Sequence, residues 1–186
     1  DNSKVFSIER SLLSTFGFPQ YGVHCNGWFK KKKLIFFHMA KRSRKLNKFP
    51  GLFDNFIAGG QPCGLSIREN LYKEGFEEAG LDSNILKNSR YRSSIHYCHN
   101  TKNKLNSSVI FVYDIKIDEN IKLYNKDGEV EKFFNISLDD LHKIFCKKLL
   151  KPNCIIPIAD FFVRVLNDEL PKNSIKEIKK ILSKHD

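Results

Sequence analysis

Short runs of apolar residues with a period of two alternate along the chain with segments of helical period, so strands and helices interleave. Tyr21 to Phe29 is apolar and aromatic, interrupted by Gly22 and Gly27, and Leu34-Ile-Phe-Phe-His-Met-Ala40 answers it across a lysine run. The pair predicts a hairpin with Lys30–Lys33 at its tip. Lys41 to Pro50 reads as a basic loop, and Phe56-Ile-Ala58 as a short strand running into Gly59-Gly60. Ser66 with Glu69 forms a capping box and Gly80 suits a helix C-terminus, which predicts a helix over Ile67–Ala79. Strands are expected at Ile95–Cys98 and Ser108–Ile117, where Val109, Phe111 and Tyr113 alternate with Ile110, Val112 and Asp114. A turn at Asn125–Gly128 leads to a strand over Val130–Ile136. Ser137 and Asp140 then cap a helix to about Leu150, and Pro157 opens another to about Leu166. A last amphipathic helix starts at Ser174, with Ile175, Ile178, Ile181 and Leu182 on one stripe. Residues 1–20, with a turn at Phe16-Gly-Phe-Pro19, read as a leading segment before a single α/β domain over 21–186.

Composition narrows the class. A chain of 186 residues with 41% hydrophobic content and 16 Phe can bury a core and is not disordered. No apolar run approaches the roughly 20 residues that span a bilayer, so no membrane partner is expected. Lys and Arg number 32 against 21 Asp and Glu, for a net charge of +11. That charge admits a nucleic acid or a polyphosphate as ligand, and equally a solvated lysine-rich surface. Five scattered Cys without a Cys-x-x-Cys pair fit a reducing compartment. The cytoplasm is the expected location, with an organelle matrix left open. The chain starts without Met, so a longer N-terminal region is expected upstream.

Within this basic chain the capped helix is acidic. Glu74, Glu77 and Glu78 fall on one face, because positions i, i+3 and i+4 share an arc of roughly 100°. Such like-charge pairs cost a few tenths of a kcal/mol each, and the helix C-terminus disfavours anions. A cation is needed, and a hard divalent ion such as Mg²⁺ suits clustered carboxylate oxygens. The competing reading is a solvated acidic face partnered by Lys73. Gly59, Gly60 and Gly64 before the helix allow tight turns and close approach to a ligand.

A glycine loop leading into this helix resembles the Nudix hydrolase signature, G-x5-E-x7-R-E-U-x-E-E-x-G-U, where U is bulky and aliphatic. Gly59 takes the first glycine, Lys73-Glu74 the Arg-Glu pair, Glu77-Glu78 the paired glutamates, and Gly80-Leu81 the close. Three positions depart from it. Leu65 stands for the first glutamate, with Glu69 as a stand-in carboxylate; Lys73 replaces Arg; Gly75 replaces the aliphatic residue. The wider pattern is similar to the Nudix domain joined to thiamine pyrophosphokinase in some fungi. It comprises Tyr21–Gly27, Arg42-Ser43, Phe49–Asn55, Ala58–Pro62, Phe111–Asp114, Asp127–Glu131 and Lys151–Cys154 with Asp160-Phe161.

The resemblance implies an α/β/α sandwich around a mixed β-sheet and hydrolysis of a diphosphate bond. It implies thiamine diphosphate or its oxo and oxy analogues as a substrate class, and homodimers are common in the family. Glu74, Glu77 and Glu78 are then the ligands of Mg²⁺, with Mn²⁺ as a substitute. Glu129 or Glu131 is the candidate further ligand or general base, both on one strand face by alternation. Arg42, with Arg44, Lys45 or Lys48, is the candidate phosphate anchor. Asp54, Asn55, Gly59 and Gly60 shape the pocket, with turn capping as the alternative for Asp54 and Asn55. Trp28 reads as core or as a platform for a heterocycle. His96, Cys98 and His99 read as ordinary strand residues, and Cys63 as a filler. Three other functions stay open. One is a pyrophosphatase of ADP-ribose or a dinucleotide. Another is an isopentenyl diphosphate isomerase, which needs a Cys where Ala58 stands. The third is a non-catalytic RNA-binding module, whose affinity would fall with salt.

Overall fold

The lysine-tipped hairpin forms as β1 (Gln20–Lys31) and β2 (Leu34–Arg42), with Lys32 and Lys33 both left-handed at the turn. These strands belong to a computed structural model that describes residues 6–101, 104–166 and 172–182. Val5 and the side chains of His99 and Ile181 lie outside the described residues.

Strand β1 is the organising element. One edge runs parallel to β6 (Lys104–Lys116), while the other pairs with β2 through Gly27–Lys31 and with β4 (Ile57–Gly60) through Gly22–Cys25. Strand β2 in turn carries the short β3 (Phe53–Asp54) and β7 (Val130–Ser137), and β5 (Arg90–Thr101) closes the far edge on β6. The sheet is therefore mixed. Alternation along β1 sends Val23 and Cys25 to one face, where they pack with Leu71 of α2 (Ile67–Ala79) and Leu86 of α3 (Ser83–Leu86). Trp28, Phe37 and Met39 face the other side, toward Leu141 of α4 (Leu138–Cys146) and Phe161 of α5 (Ile155–Val165). Helices thus cover both faces. A short α1 (Leu13–Phe16) precedes the sheet and α6 (Lys172–Leu182) ends the described chain. Among the described residues no helix is long and apolar enough to cross a membrane.

Helix α2 has the bounds its sequence predicts. Ser66 accepts from Glu69 N–H, the Glu69 carboxylate accepts from Ser66 N–H, and Gly80 is left-handed at the close. Other elements differ from expectation. The chain after Ala40 stays in strand through Arg42, β5 and β6 are longer than their apolar runs, and β3 and α3 carry too little periodicity to be foreseen. Helix α4 stops at Cys146 because Lys148 turns left-handed and Leu150 pairs with Phe53. Helix α5 begins before Pro157, behind a turn that Pro152 opens, and α6 starts at Lys172.

Two glycines allow close packing. A Cβ on Gly27 would strike the Phe56 ring, and one on Gly75 would come within 2.5 Å of Leu86 Cδ1 and 3.1 Å of Ile57 Cδ1. Glycine inside a helix normally costs about 1 kcal/mol against alanine. Here Leu86 occupies the space an alanine would need. Gly75→Ala is therefore expected to destabilise the domain by about 1 kcal/mol rather than stabilise it, and Gly75→Ala with Leu86→Ala to show less than the sum of the two losses. Urea unfolding of the variants checks both, and a more stable single variant would show that the contact is slack.

Candidate active site

Gly59 and Gly60 run along the floor of a cleft of about 500 Å³. A Cβ on Gly59 would collide with the Glu74 carboxylate, so the bare glycine is the seat of that group. Glu74 and Glu77 line the cleft, and Lys73 Nζ stands between them at 3.4 Å and 2.5 Å. Glu78 lies behind this wall, buried, its Oε2 accepting from Ala58 N–H at 2.9 Å. Burial pushes the Glu78 carboxyl well above the usual range, and it raises Glu74 as well, against the pull of Lys73. Three carboxylates share the helix face as the spacing predicts. They divide into a front pair and a rear one tied to β4. Glu69 is spent on the capping box, so it is not the stand-in carboxylate expected of it.

The C-terminus of α2 is relieved by backbone rather than by charge. Tyr124 N–H reaches Ala79 O at 3.2 Å and Lys126 N–H reaches Glu77 O at 2.8 Å. The Tyr124 ring lies over Gly80, and Lys126 Nζ sits on the Phe76 ring. Docked this way, the turn that follows brings Asp127 and Glu129 into the cleft. Asn125 Oδ1 accepts from the N–H groups of Asp127 and Gly128, and Asp127 Oδ1 accepts from Glu129 N–H. Glu131 goes elsewhere. Lys41 pairs with Lys132 but Arg42 pairs with Val130, a bulge that breaks the alternation expected for Glu129 and Glu131. Glu131 meets Arg44 at 3.6 Å and lines a separate cavity with His38 and Asn135.

The opposite wall is basic. Arg42 and Lys48 line it, whereas Lys45 is exposed outside the cleft. Arg42 Nη1 lies 2.9 Å from Asp54 Oδ2, and its Nη2 donates to Lys48 O. Lys151, which the sequence reading assigns no role, also lines the cleft and lies 2.7 Å from the same Asp54 oxygen. Asp54 Oδ1 accepts from Cys154 Sγ at 2.7 Å and from Asn55 N–H at 2.9 Å. Asp54 and Asn55 are buried beneath the wall rather than in it, so they shape the pocket from below. Burial would raise Asp54, but Lys151 overrides it and holds the carboxyl down at about 2.

A polar chain continues below. Asp114 accepts from Asn26 Nδ2, Asn26 Oδ1 from Asn55 Nδ2, and Asn55 Oδ1 pairs with His24 Nδ1 at 2.7 Å. Because Asp114 only accepts, each amide is oriented in turn, and His24 is assigned as the Nδ1–H tautomer. Burial, aided by Lys151, lowers His24 to about 4, so the ring is neutral. The ligand atoms of His24, Asp54 and Cys154 lie within 4.8 Å of one another. Both Asp54 oxygens are already taken, by two cations and a thiol that burial holds protonated, which is a poor setting for a metal ion.

Arg10 also went unforeseen, in the leading segment. Its guanidinium lies against Gly60 at the cleft, where a Cβ would collide with it. No local period marks either Arg10 or Lys151; only Lys151's place in the Lys-Pro-Asn-Cys run pointed that way. Trp28 is core, edge-on to Phe161 at 5.5 Å. His96 and Cys98 are exposed on β5, and exposed Cys63 meets Ser7 at 3.7 Å.

No family model matches the chain. It is 34% identical over 160 residues to Nudix hydrolase 20, chloroplastic, of Arabidopsis thaliana, across 86% of this chain and 43% of that protein. The chain spans half or less of the length of the curated relatives it matches. Among solved structures, the Nudix domain of Shewanella oneidensis NrtR with ADP ribose superposes with a TM-score of 0.63 at 13% identity, over 86% of this chain and 99% of that one. A bifunctional NMN adenylyltransferase/ADP ribose pyrophosphatase of Francisella tularensis, with AMP and a Mn ion, gives 0.57 at 14% identity, over 78% and 41%. Identity this low speaks to the fold alone.

The depressed Asp54 carboxyl gives a pH test. A carboxylate whose folded pKa lies below its ordinary 3.8 contributes stability above that pH and loses it as pH falls through about 2. Relative to Asp54→Asn, the wild type is expected to lose about 2 kcal/mol of its advantage between pH 5 and pH 2. Urea titrations at several pH values check this. Parallel curves for the two proteins would refute the assignment.

Proposed function

The chain belongs to the Nudix hydrolase family, and on that premise we propose that it hydrolyses a diphosphate bond in a small organic diphosphate, with a divalent cation held by Glu74, Glu77 and Glu78. The observation that carries the reading is one cleft lined both by Glu74, Glu77, Asp127 and Glu129 and by Arg42, Lys48 and Lys151. The donor set on α2 is all carboxylate oxygen, which fits Mg²⁺ with Mn²⁺ as a substitute. Lys73 between Glu74 and Glu77 marks where positive charge is already held. When bound, such an ion neutralises phosphate oxygens and acidifies a water.

The chain's own residues supply the rest. Arg42 and Lys48 orient the phosphate that is not attacked, and a guanidinium held rigidly on Asp54 loses little freedom in doing so. Water attacks phosphorus, the bond to the bridging oxygen breaks, and the proton passes to Glu129, held at the cleft by its turn. Glu78 gives Oε2 to Ala58 N–H, which fixes the register of helix and glycine floor, and its other oxygen would complete the donor set for the cation.

Two substrate classes remain in play, each with its own support. The sequence pattern around Phe49–Asn55 and Lys151–Cys154 favours thiamine diphosphate and its oxo and oxy analogues. A nucleoside diphosphate derivative is the second class proposed, since a solved domain of the same fold is complexed with ADP ribose. An isomerase reading lacks its cysteine: Ala58 lines the cleft, and among the described residues no Cys does.

Cleavage of a panel holding thiamine diphosphate, its oxo and oxy analogues, ADP-ribose and NADH is expected to need Mg²⁺ or Mn²⁺ and to stop with chelator. Glu78→Gln keeps an acceptor for Ala58 N–H, so it should fold normally while kcat falls by about 10²- to 10⁴-fold. Lys45→Ala is expected to act as wild type. Full activity in Glu78→Gln would overturn the reading. So would RNA binding that falls with salt and survives that substitution, with no cleavage of any panel member.

A further inference from the structure

The buried cluster under the basic wall is out of charge balance. Arg42 and Lys151 each bring one positive charge to a single Asp54 oxygen, His24 is neutral and Cys154 is a thiol. Among the described hydrogen-bonded partners of these two cations one positive charge is left over, where both side chains are only 13% exposed; Glu78, the nearby buried carboxyl, is committed to Ala58 N–H rather than to either of them. Desolvating an unpaired cation is costly unless an anion completes the set. Arg42 Nε is buried without a hydrogen-bond partner, so the guanidinium has donor capacity to spare. Both head groups border the cleft, beside Lys48 and Asn153, across from Glu74 and Glu77.

We propose that Lys151 and Arg42, held apart and aimed by Asp54, form a metal-independent anion site that receives the unattacked phosphate of the substrate. Naming that anion as half of a diphosphate rests on the proposed hydrolysis; the site itself does not. The arrangement separates two tasks. Cation-dependent charge neutralisation belongs to the α2 wall, while the second phosphate is gripped by fixed protein charge whether or not an ion is present. Lys151 is thus a substrate-binding residue contributed by the turn before α5, about a hundred positions after Arg42 in the chain.

The test uses inorganic pyrophosphate with chelator present, so that no metal can bridge. Calorimetry on the wild type is expected to show binding that weakens as salt is raised. Lys151→Met should weaken it by about 10- to 100-fold, Lys151→Arg less, and Lys45→Ala, outside the cleft, not at all. Should Lys151→Met not fold, the wild type still decides: the Lys151 ¹⁵Nζ resonance must shift as pyrophosphate is added. Unchanged affinity in a folded Lys151→Met, an unmoved Nζ resonance, or no metal-free binding would each overturn the proposal. If pyrophosphate binds through Lys151 but no diphosphate is cleaved with metal, the anion site stands and the hydrolase reading falls. Metal-dependent cleavage with a silent Lys151 gives the reverse.

Discussion

One buried carboxylate holds the basic side of this molecule together. Asp54 ends the two-residue strand β3 and gathers Arg42 from the end of β2, Lys151 and Cys154 from the turn before α5, and the backbone of Asn55. Removing such a group would strand two cations in low dielectric, a loss of about 3–5 kcal/mol by analogy with other broken buried pairs. Apolar packing would hold the same segments at less desolvation cost. What it would not do is present two cations, fixed in place, to a cleft. Through Asn55 the same centre connects to Asn26 and Asp114, and Asp114 also accepts from Arg92 and Arg164 of α5. The wall of the cleft and the helix packed beneath the sheet are therefore one hydrogen-bonded unit.

The acidic side obeys a different constraint. Like charges on one helix face need relief, and α2 finds it in three ways: Lys73 between two carboxylates, Ala58 N–H on the third, and the 124–126 backbone on the last carbonyls. The last of these also sets the site's composition, because the segment that caps the helix carries Asp127 and Glu129 with it. Electrostatic strain in α2 and the placement of further acids are thus linked by the same contacts.

How much of this could be read in the chain depends on the range of each interaction. The α2 helix was legible to the residue because capping box, carboxylate spacing and closing glycine are all local. The layers on both faces of the sheet came with the family resemblance, whereas explicit alternation marked only β6, over Val109–Asp114. Glu131 was misassigned because alternation is a local rule and the bulge opposite Arg42 is imposed by a partner strand. Arg10 has no mark as a site residue, and Lys151 only its place in the Lys-Pro-Asn-Cys run, for a related reason. Their partners lie far along the sequence, and a single charged side chain has no period. Asp54 is legible near the site but its burial is not, since a later turn that covers it leaves no mark on its neighbours.

The departures from the Nudix signature are each absorbed by a specific neighbour. Gly75 stands where an aliphatic residue is usual, and Leu86 of α3 fills the volume from the outside, so the helix sits against Ile57 and brings Glu74 onto Gly59. Lys73 lacks the fork of arginine, but as a point charge it can still span Glu74 and Glu77 on the same face. Leu65 is exposed, and its carbonyl accepts from Gln61 Nε2 at 2.6 Å, so the loop is braced by backbone where a side-chain carboxylate is absent. The neighbouring position, Gly60, is braced through its own carbonyl by Asn70 and covered by Arg10. A guanidinium therefore borders the cleft at its glycine floor.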